Sequence, residues 1–176
     1  MSWSNEFLEL DKNVHDRDSF DCGESALNVF IKTQAAKHMT AGISRTLLLP
    51  TVDVLPNGMS KICSFYTIAA SSIERKTLPQ TQAKKLPHYP VPVFLLAQLA
   101  VDVDYHNRGL GKITLIKALE NLWGINARMR AYAVIVDCLN ETARQFYEKF
   151  GFEVLCSHNG RDRLYMPMKT ISQLFE

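Results

Sequence analysis

The chain has 176 residues, of which 47% are hydrophobic and 22% charged, so we expect a single globular domain, 1–176, with a sizeable core. The formal net charge is only +2, which excludes a polycation and means that anion binding would need a local basic patch. No apolar run approaches the roughly 18 residues of a membrane span, and four scattered cysteines and five histidines form no metal-binding motif, so we expect a cytoplasmic protein with reduced thiols and no metal.

The first half of the chain predicts a helix followed by two strands. Apolar residues recur at helical spacing in 20–42, with Asp21 as a candidate N-cap. The apolar runs 44–52 and 61–70 are separated by a Pro-Asn-Gly turn signal and indicate paired strands. The segment 75–90 is rich in proline, lysine and polar residues, which favours an irregular excursion containing at most a helical turn.

The second half predicts two strand–helix units and a closing hairpin. A nearly continuous apolar run at 91–103 is typical of a central strand, and an apolar-striped helix follows Gly109. The run 131–137 indicates a second buried strand, and Asn140 is a good N-cap for the next helix. Two short strands within 152–168 complete the order. This order of elements indicates an α/β fold around a mixed sheet.

The loop between the central strand and its helix carries an anion-binding pattern at 108–112. Helix-start N–H groups have no acceptor within the helix and lie at its positive end. Gly109 and Gly111 would let a phosphate approach this backbone closely, and Arg108 and Lys112 add charge. The alternative is that the glycines only shape a tight strand–helix connection.

Other candidate residues also have an ordinary structural interpretation. Asn140 could act only as a helix cap, and Tyr147 lies on the apolar stripe of its helix, as a core tyrosine would. A cluster of basic residues in the proline-rich segment could be a solvated loop or a surface for a polyanion. These residues are Arg75, Lys76, Lys84 and Lys85.

Taken together, the motifs resemble the GNAT superfamily of N-acetyltransferases. The sequence His-Asn-Arg-Gly-Leu-Gly at 106–111 matches the family's Gln/Arg-x-x-Gly-x-Gly/Ala pattern, except that His106 replaces Gln or Arg, and "NETARQFYEKFGF" at 140–152 matches the family's Asn-then-Tyr helix. The resemblance implies a mixed, mostly antiparallel central sheet flanked by helices on both faces, which binds acetyl-coenzyme A. It implies Tyr147 as the general acid that protonates the leaving thiolate. The implied coenzyme-binding residues are Leu99, Ala100, Val101, Arg108, Gly109, Leu110, Gly111, Lys112, Asn140, Ala143 and Phe146.

Four further motifs resemble the acetyltransferase toxins of bacterial toxin–antitoxin pairs. These are "FDCGESALNVFI" at 20–31, "YTIA" at 66–69, "LAVD" at 99–102 and "SQLF" at 172–175. Many relatives have Arg where this chain has Gln98. The resemblance implies acetylation of the α-amino group of an aminoacyl-tRNA, a basic tRNA-binding segment, a ribbon–helix–helix antitoxin and a homodimer.

Two other functions remain open from the sequence. An acetyltransferase for a small-molecule amine or a protein lysine would keep the coenzyme site without needing the basic segment. A sensor that binds acetyl-coenzyme A without chemistry would have no need of Tyr147. The sequence does not name the aminoacyl-tRNA, the antitoxin or a general base.

Overall fold

A computed structural model describes residues 2–176, which form an α/β fold around an eight-stranded, mostly antiparallel sheet. The strands are β1 (Leu8–Glu9), β2 (His15–Asp16), β3 (Arg45–Val54), β4 (Ser60–Ile73), β5 (Val91–Val101), β6 (Ala133–Asp137), β7 (Glu153–His158) and β8 (Arg161–Pro167). The α-helices are α1 (Ser25–Val29), α2 (Ala35–Thr40), α3 (Gln80–Ala83), α4 (Leu110–Asn126), α5 (Glu141–Lys149) and α6 (Met168–Phe175). A π-helical segment joins α1 to α2, and two short 3₁₀ turns precede α3 and α4.

The strand order is β1-β3-β4-β5-β6-β8-β7, with β2 also paired to β4. The β2–β4 and β5–β6 pairs are parallel, whereas the β1–β3, β3–β4, β6–β8 and β7–β8 pairs are antiparallel. The chain divides into two compact units, Met1–Ala69 with Ala97–Ala118, and Ala70–Leu96 with Leu119–Glu176. Strands β4 and β5 and helix α4 contribute residues to both units.

The first unit packs the N-terminal helices and β1–β4 around aromatic side chains. Phe20 and Phe65 meet edge to face with ring centroids 5.2 Å apart, and Phe30 stacks on Phe65 at 6.4 Å. Ile31 and Leu48 are fully buried in the same cluster. Burying side chains of this size contributes about 1.5–3 kcal/mol each, so this apolar stripe explains why the 20–42 helix forms.

The second unit is built on β6, whose residues Ala133 to Val136 are all buried. Its apolar run is therefore explained by burial on both faces. Strands β7 and β8 form a hairpin closed by Asn159 (φ 52°) and Gly160 (φ 77°), the two positive φ angles of a type I′ turn. Helix α6 is held by Phe175, which stacks on Trp123 at 5.5 Å.

Most of the predicted elements are confirmed, with ends shifted by a few residues. The predicted Asp21 cap is wrong, because the helix begins at Ser25 and Asp21 Oδ1 instead accepts bonds from the Gly23 N–H and the Asn28 side chain. The first helix also contains an unforeseen π-helical segment, Phe30–Gln34. Helix α6 was not predicted either.

Candidate functional site

The loop that enters α4 leaves its backbone open. Gly109 has φ +76°, a left-handed conformation that favours glycine, and apart from its own and its chain neighbours' atoms nothing lies within 4 Å of the position its Cβ would take. The Gly109 carbonyl accepts the Ile113 N–H at 3.1 Å, which begins the α4 bonding pattern. Gly111 lies in the first helical turn. The N–H groups of this turn have no acceptor within the helix, so the loop can bind an anion.

Two cations flank this backbone in the first unit. Arg108 and Lys112 are exposed, and the Arg108 guanidinium lies 5.5 Å from the centroid of the Tyr105 ring. Leu110 is 1% exposed and anchors the start of the helix. The predicted loop therefore carries local positive charge, although the whole chain is nearly neutral.

His106, which replaces the Gln or Arg of the family pattern, makes a structural hydrogen bond. Its Nε2–H donates to the Val101 carbonyl at 2.6 Å, which links the end of β5 to the loop. Along the last residues of β5, Leu99 and Val101 are partly exposed and Ala100 is buried. The first unit thus contains both the strand end and the loop that the family resemblance assigns to the coenzyme.

The remaining coenzyme candidates lie in the second unit, on and before α5. Asn140 is confirmed as the helix cap, because its Oδ1 accepts the Ala143 N–H at 2.9 Å. Ala143 and Phe146 are partly exposed on the same helix. A coenzyme contact at these residues stays a prediction.

Tyr147 is the buried residue of α5. Its ring lies edge-on to Phe146 at 5.3 Å and to Phe152 at 5.4 Å, so the ring is part of the core. Burial raises the pKa of the phenol, and the nearby Cys138 thiol raises it further. The hydroxyl therefore holds its proton at neutral pH, which is the state that a proton donor requires.

The basic segment is folded by its own side chains. Arg75 Nε donates to the carbonyls of Ala83 (2.7 Å) and Leu86 (3.1 Å), where it caps the end of α3. Gln82 joins this turn to the unit's core by donating to the Tyr165 hydroxyl at 3.1 Å and accepting from the Tyr132 hydroxyl at 2.7 Å. Arg75 is thus a structural residue of the segment.

The lysines of the segment face solvent. Lys76 pairs with Glu74 at 3.0 Å, and both side chains are largely exposed, so the pair contributes little to stability. Lys84 and Lys85 are exposed beside α3. These lysines therefore project from a folded segment and not from a flexible loop, an arrangement that favours binding of a polyanion.

Comparison with known proteins identifies the family. The family model described as an acetyltransferase (GNAT) domain matches residues 73–154. The chain is 31% identical over 142 residues to a tRNA-acetylating toxin of Mycobacterium tuberculosis, covering 81% of each chain. The chain belongs to the GNAT acetyltransferases. This GNAT chain is also 28% identical over 173 residues to a probable toxin TacT of Sinorhizobium fredii, covering 94% and 92% of the two chains.

Solved structures of toxins share the fold of this GNAT chain. AtaT complexed with acetyl-methionyl-tRNAfMet has a TM-score of 0.85 at 29% identity, covering 97% of this chain and 99% of that chain. AtaTR bound with AcCoA has a TM-score of 0.80 at 28% identity, covering 97% and 98%. A tyrosine-to-phenylalanine variant of AtaT bound to the C-terminus of the antitoxin AtaR has a TM-score of 0.80 at 25% identity, covering 97% of each chain.

In the structure of this GNAT chain, a group of residues that the sequence motifs do not predict lies close to the predicted site residues. Asp102, Lys61 and Asp104 form a charged cluster beside the Tyr105 ring, directly before the loop at 108–112. The sequence gives one indication of this cluster, since two of the quoted motifs contain an aspartate near it. Asp102 ends the "LAVD" motif, and Asp21 belongs to "FDCG". The two motifs contact each other through these aspartates.

Residues 2–176 contain neither a metal-binding cluster nor a helix suited to crossing a membrane. In that range, no group of three or more His, Cys, Asp or Glu side chains is placed to hold a metal ion. Within the same residues, no helix combines the length and apolar character that crossing a membrane requires.

Proposed function

We propose that this GNAT chain transfers acetyl from acetyl-coenzyme A to the α-amino group of an aminoacyl-tRNA and thereby acts as a translation-blocking toxin. The similarity to a tRNA-acetylating toxin over four fifths of both chains carries this proposal. The likeness to AtaT complexed with acetyl-methionyl-tRNAfMet supports the same acceptor class.

The coenzyme pyrophosphate would be bound by the open backbone of the loop at 108–112. Gly109 lets the anion approach, and Arg108 and Lys112 supply charge-assisted contacts. The backbone of Leu99, Ala100 and Val101 would pair with the pantetheine arm. In the second unit, Asn140, Ala143 and Phe146 are proposed contacts of the same coenzyme. The AtaTR structure bound with AcCoA supports this choice of co-substrate.

The proposed reaction is direct acyl transfer. The acceptor amine attacks the thioester carbonyl carbon, so a C–N bond forms while the carbonyl oxygen takes negative charge. A backbone N–H near Val101 would stabilise that oxyanion. The C–S bond then breaks, Tyr147 donates its proton to the sulfur, and the amine releases a proton to water. Much of the rate would come from holding the two substrates in a reactive orientation.

Charge on the basic segment supports a nucleic-acid acceptor. Lys76, Lys84 and Lys85 are proposed phosphate contacts, whereas Arg75 is assigned the structural bonds that fold the segment. We further propose that the chain acts as one domain, since β4, β5 and α4 each run through both compact units. A ribbon–helix–helix antitoxin and a homodimer complete the proposal, and AtaT bound to AtaR supports an antitoxin partner.

The test is incubation of the purified chain with labelled acetyl-coenzyme A and total charged tRNA. We expect label on the aminoacyl group of one or a few tRNAs. The same tRNA after mild alkaline deacylation has no α-amino group and should take no label. Label that appears only on added polyamines or protein lysines would contradict the proposal and favour the small-amine or lysine alternative. Coenzyme binding with no product on any amine would favour the sensor.

A further inference from the structure

The "FDCG" motif has no part in the proposed reaction, yet it contacts the segment that leads into the coenzyme loop. We propose that Asp102 is a positioning residue: it ties residues 20–23 and β4 to the end of β5 and so fixes the loop at 108–112 for coenzyme binding. This positioning role rests on the proposed coenzyme-binding function.

The Asp102 carboxylate is 1% exposed and bonds in three directions. Its Oδ2 accepts the Asp21 N–H at 3.0 Å, and its Oδ1 accepts the Asp104 N–H at 3.0 Å. Lys61 Nζ lies 3.6 Å from Oδ1 and also bonds Asp104. A buried carboxylate is stable only with such partners, so this side chain determines where the three segments meet.

Backbone bonds reinforce the same junction. The Val103 N–H donates to the Asp21 carbonyl at 2.8 Å, and the Asp102 N–H donates to the Cys63 carbonyl at 2.9 Å. The "FDCG" loop is itself rigid, because Asn28 accepts the Cys22 N–H and donates to Asp21 Oδ1, each at 2.9 Å. Residues 102 and 103 are therefore held both by a preformed loop and by β4.

This junction controls the approach to Gly109. Asp102 caps the 3₁₀ turn Val103–Tyr105, and the buried Tyr105 ring lies beneath the Arg108 guanidinium at 5.5 Å. The path from Asp102 to Gly109 is only seven residues long. A small rotation at the junction would move the loop cation and the helix-start N–H groups together, and shifts of about 1 Å are enough to weaken binding substantially.

The primary test is Asp102→Asn, which removes the charge and turns one N–H acceptor into a competing donor. We expect the Kd of coenzyme A, measured by calorimetry, to rise about tenfold. KM for acetyl-coenzyme A should rise in parallel, while kcat at saturating coenzyme and KM for the acceptor stay within about twofold. A purely structural aspartate would lower the melting temperature without this selective change in KM.

Two further variants keep the test decisive. Asn28→Ala acts on the partly exposed side of the "FDCG" loop, leaves Asp102 intact, and should raise the Kd of coenzyme A by about threefold. Thr46→Val is the matched control, since it breaks a buried hydroxyl pair with Thr67 (2.7 Å) in the same unit and should lower stability without changing the Kd.

The outcomes separate the two proposals. A parent chain that binds coenzyme A, with an unchanged Kd in both folded Asp102→Asn and Asn28→Ala, would overturn the positioning role alone. An equal rise in Kd for Thr46→Val would overturn it as well, because general destabilisation would then explain the effect. A parent chain that binds no coenzyme A would overturn the proposed function together with this inference.

Discussion

Replacing Tyr147 with Phe distinguishes a general acid from a core tyrosine. The change removes one hydroxyl and keeps the ring, so the edge-on contacts with Phe146 and Phe152 remain. Aromatic pairs of this kind are worth about 0.5–1.5 kcal/mol each, and that contribution is retained. The free energy of unfolding should therefore change by less than about 1 kcal/mol if the hydroxyl serves catalysis. A hydroxyl with a structural bond would cost about 1–3 kcal/mol on removal.

The expected loss of turnover follows from proton affinities. An ordinary phenol has a pKa near 10 and a thiol near 8.5, so full proton transfer to the thiolate is uphill by about 2 kcal/mol. Burial raises the pKa of Tyr147 above that ordinary value, which makes early transfer still less favourable. The hydroxyl should therefore donate a hydrogen bond to sulfur and release its proton late, as the C–S bond breaks. Loss of general-acid assistance typically lowers rates by about 10²–10⁴-fold.

The assay measures kcat, the Kd of acetyl-coenzyme A and the melting temperature on Tyr147→Phe. Tyr165→Phe is the matched control, because the Tyr165 hydroxyl accepts a bond from Gln82 inside the same unit. We expect the control to lose stability and keep kcat per folded molecule, and Tyr147→Phe to do the reverse. A fully active Tyr147→Phe chain would refute the general-acid role, though not the family assignment.

Three further predictions concern the loop, the basic segment and the buried thiols. Gly109→Asp should weaken coenzyme A binding at least tenfold by placing a carboxylate beside the pyrophosphate. Gly58→Asp is the control, because Gly58 has a similar φ of +81° and open space at its Cβ position, and this variant should bind coenzyme A as the parent does. Equal losses of affinity in the two variants would attribute the effect to backbone strain alone. Lys84→Glu combined with Lys85→Glu should weaken tRNA binding and reduce the slope of log K against log salt by about 1–2. Charge reversal at the exposed Lys12 and Lys169 is the control and should leave that slope unchanged. An unchanged slope in the Lys84 and Lys85 variant would show that the segment does not contact tRNA. Burial raises the pKa of the Cys63 and Cys138 thiols to about 11. The unfolded chain then binds fewer protons than the folded chain between about pH 9 and 11, so the free energy of unfolding should fall across that window by at most about 3 kcal/mol per thiol; urea titrations showing no such fall would contradict the burial argument.

Much of the fold could be read from local sequence patterns. The apolar runs of β4, β5 and β6 are strong signals because most of their residues are buried or partly buried. The spacing of α4 and α5 is a strong signal because each helix packs one face. The π-helical segment was missed because its apolar residues fit ordinary helical spacing. The Asp21 cap prediction is wrong because a cap residue looks the same in sequence as an aspartate whose side chain bonds the N–H two residues on and a nearby asparagine.

The candidate site was predictable where chemistry is local and less so where it depends on tertiary contacts. The open backbone at Gly109 and the cap at Asn140 follow from residue type and spacing. The structural use of Arg75 could not be foreseen, since its carbonyl partners are 8 and 11 residues away and become acceptors only after α3 forms. The proposed positioning role of Asp102 depends on a contact across 81 residues of sequence.

The π-helical segment also bears on how this helix can vary in length. In Phe30–Gln34 the Ala35 N–H donates to the Phe30 carbonyl, a five-residue step that amounts to one residue inserted into an α-helix. Deleting one residue there, such as the exposed Thr33, would convert the segment to α-helix and leave α2 facing the same way. Deleting a residue from α1 or α2 would instead rotate the rest of the helix by about 100° around its axis. Length differences among relatives should therefore be tolerated at this turn and avoided on either side of it.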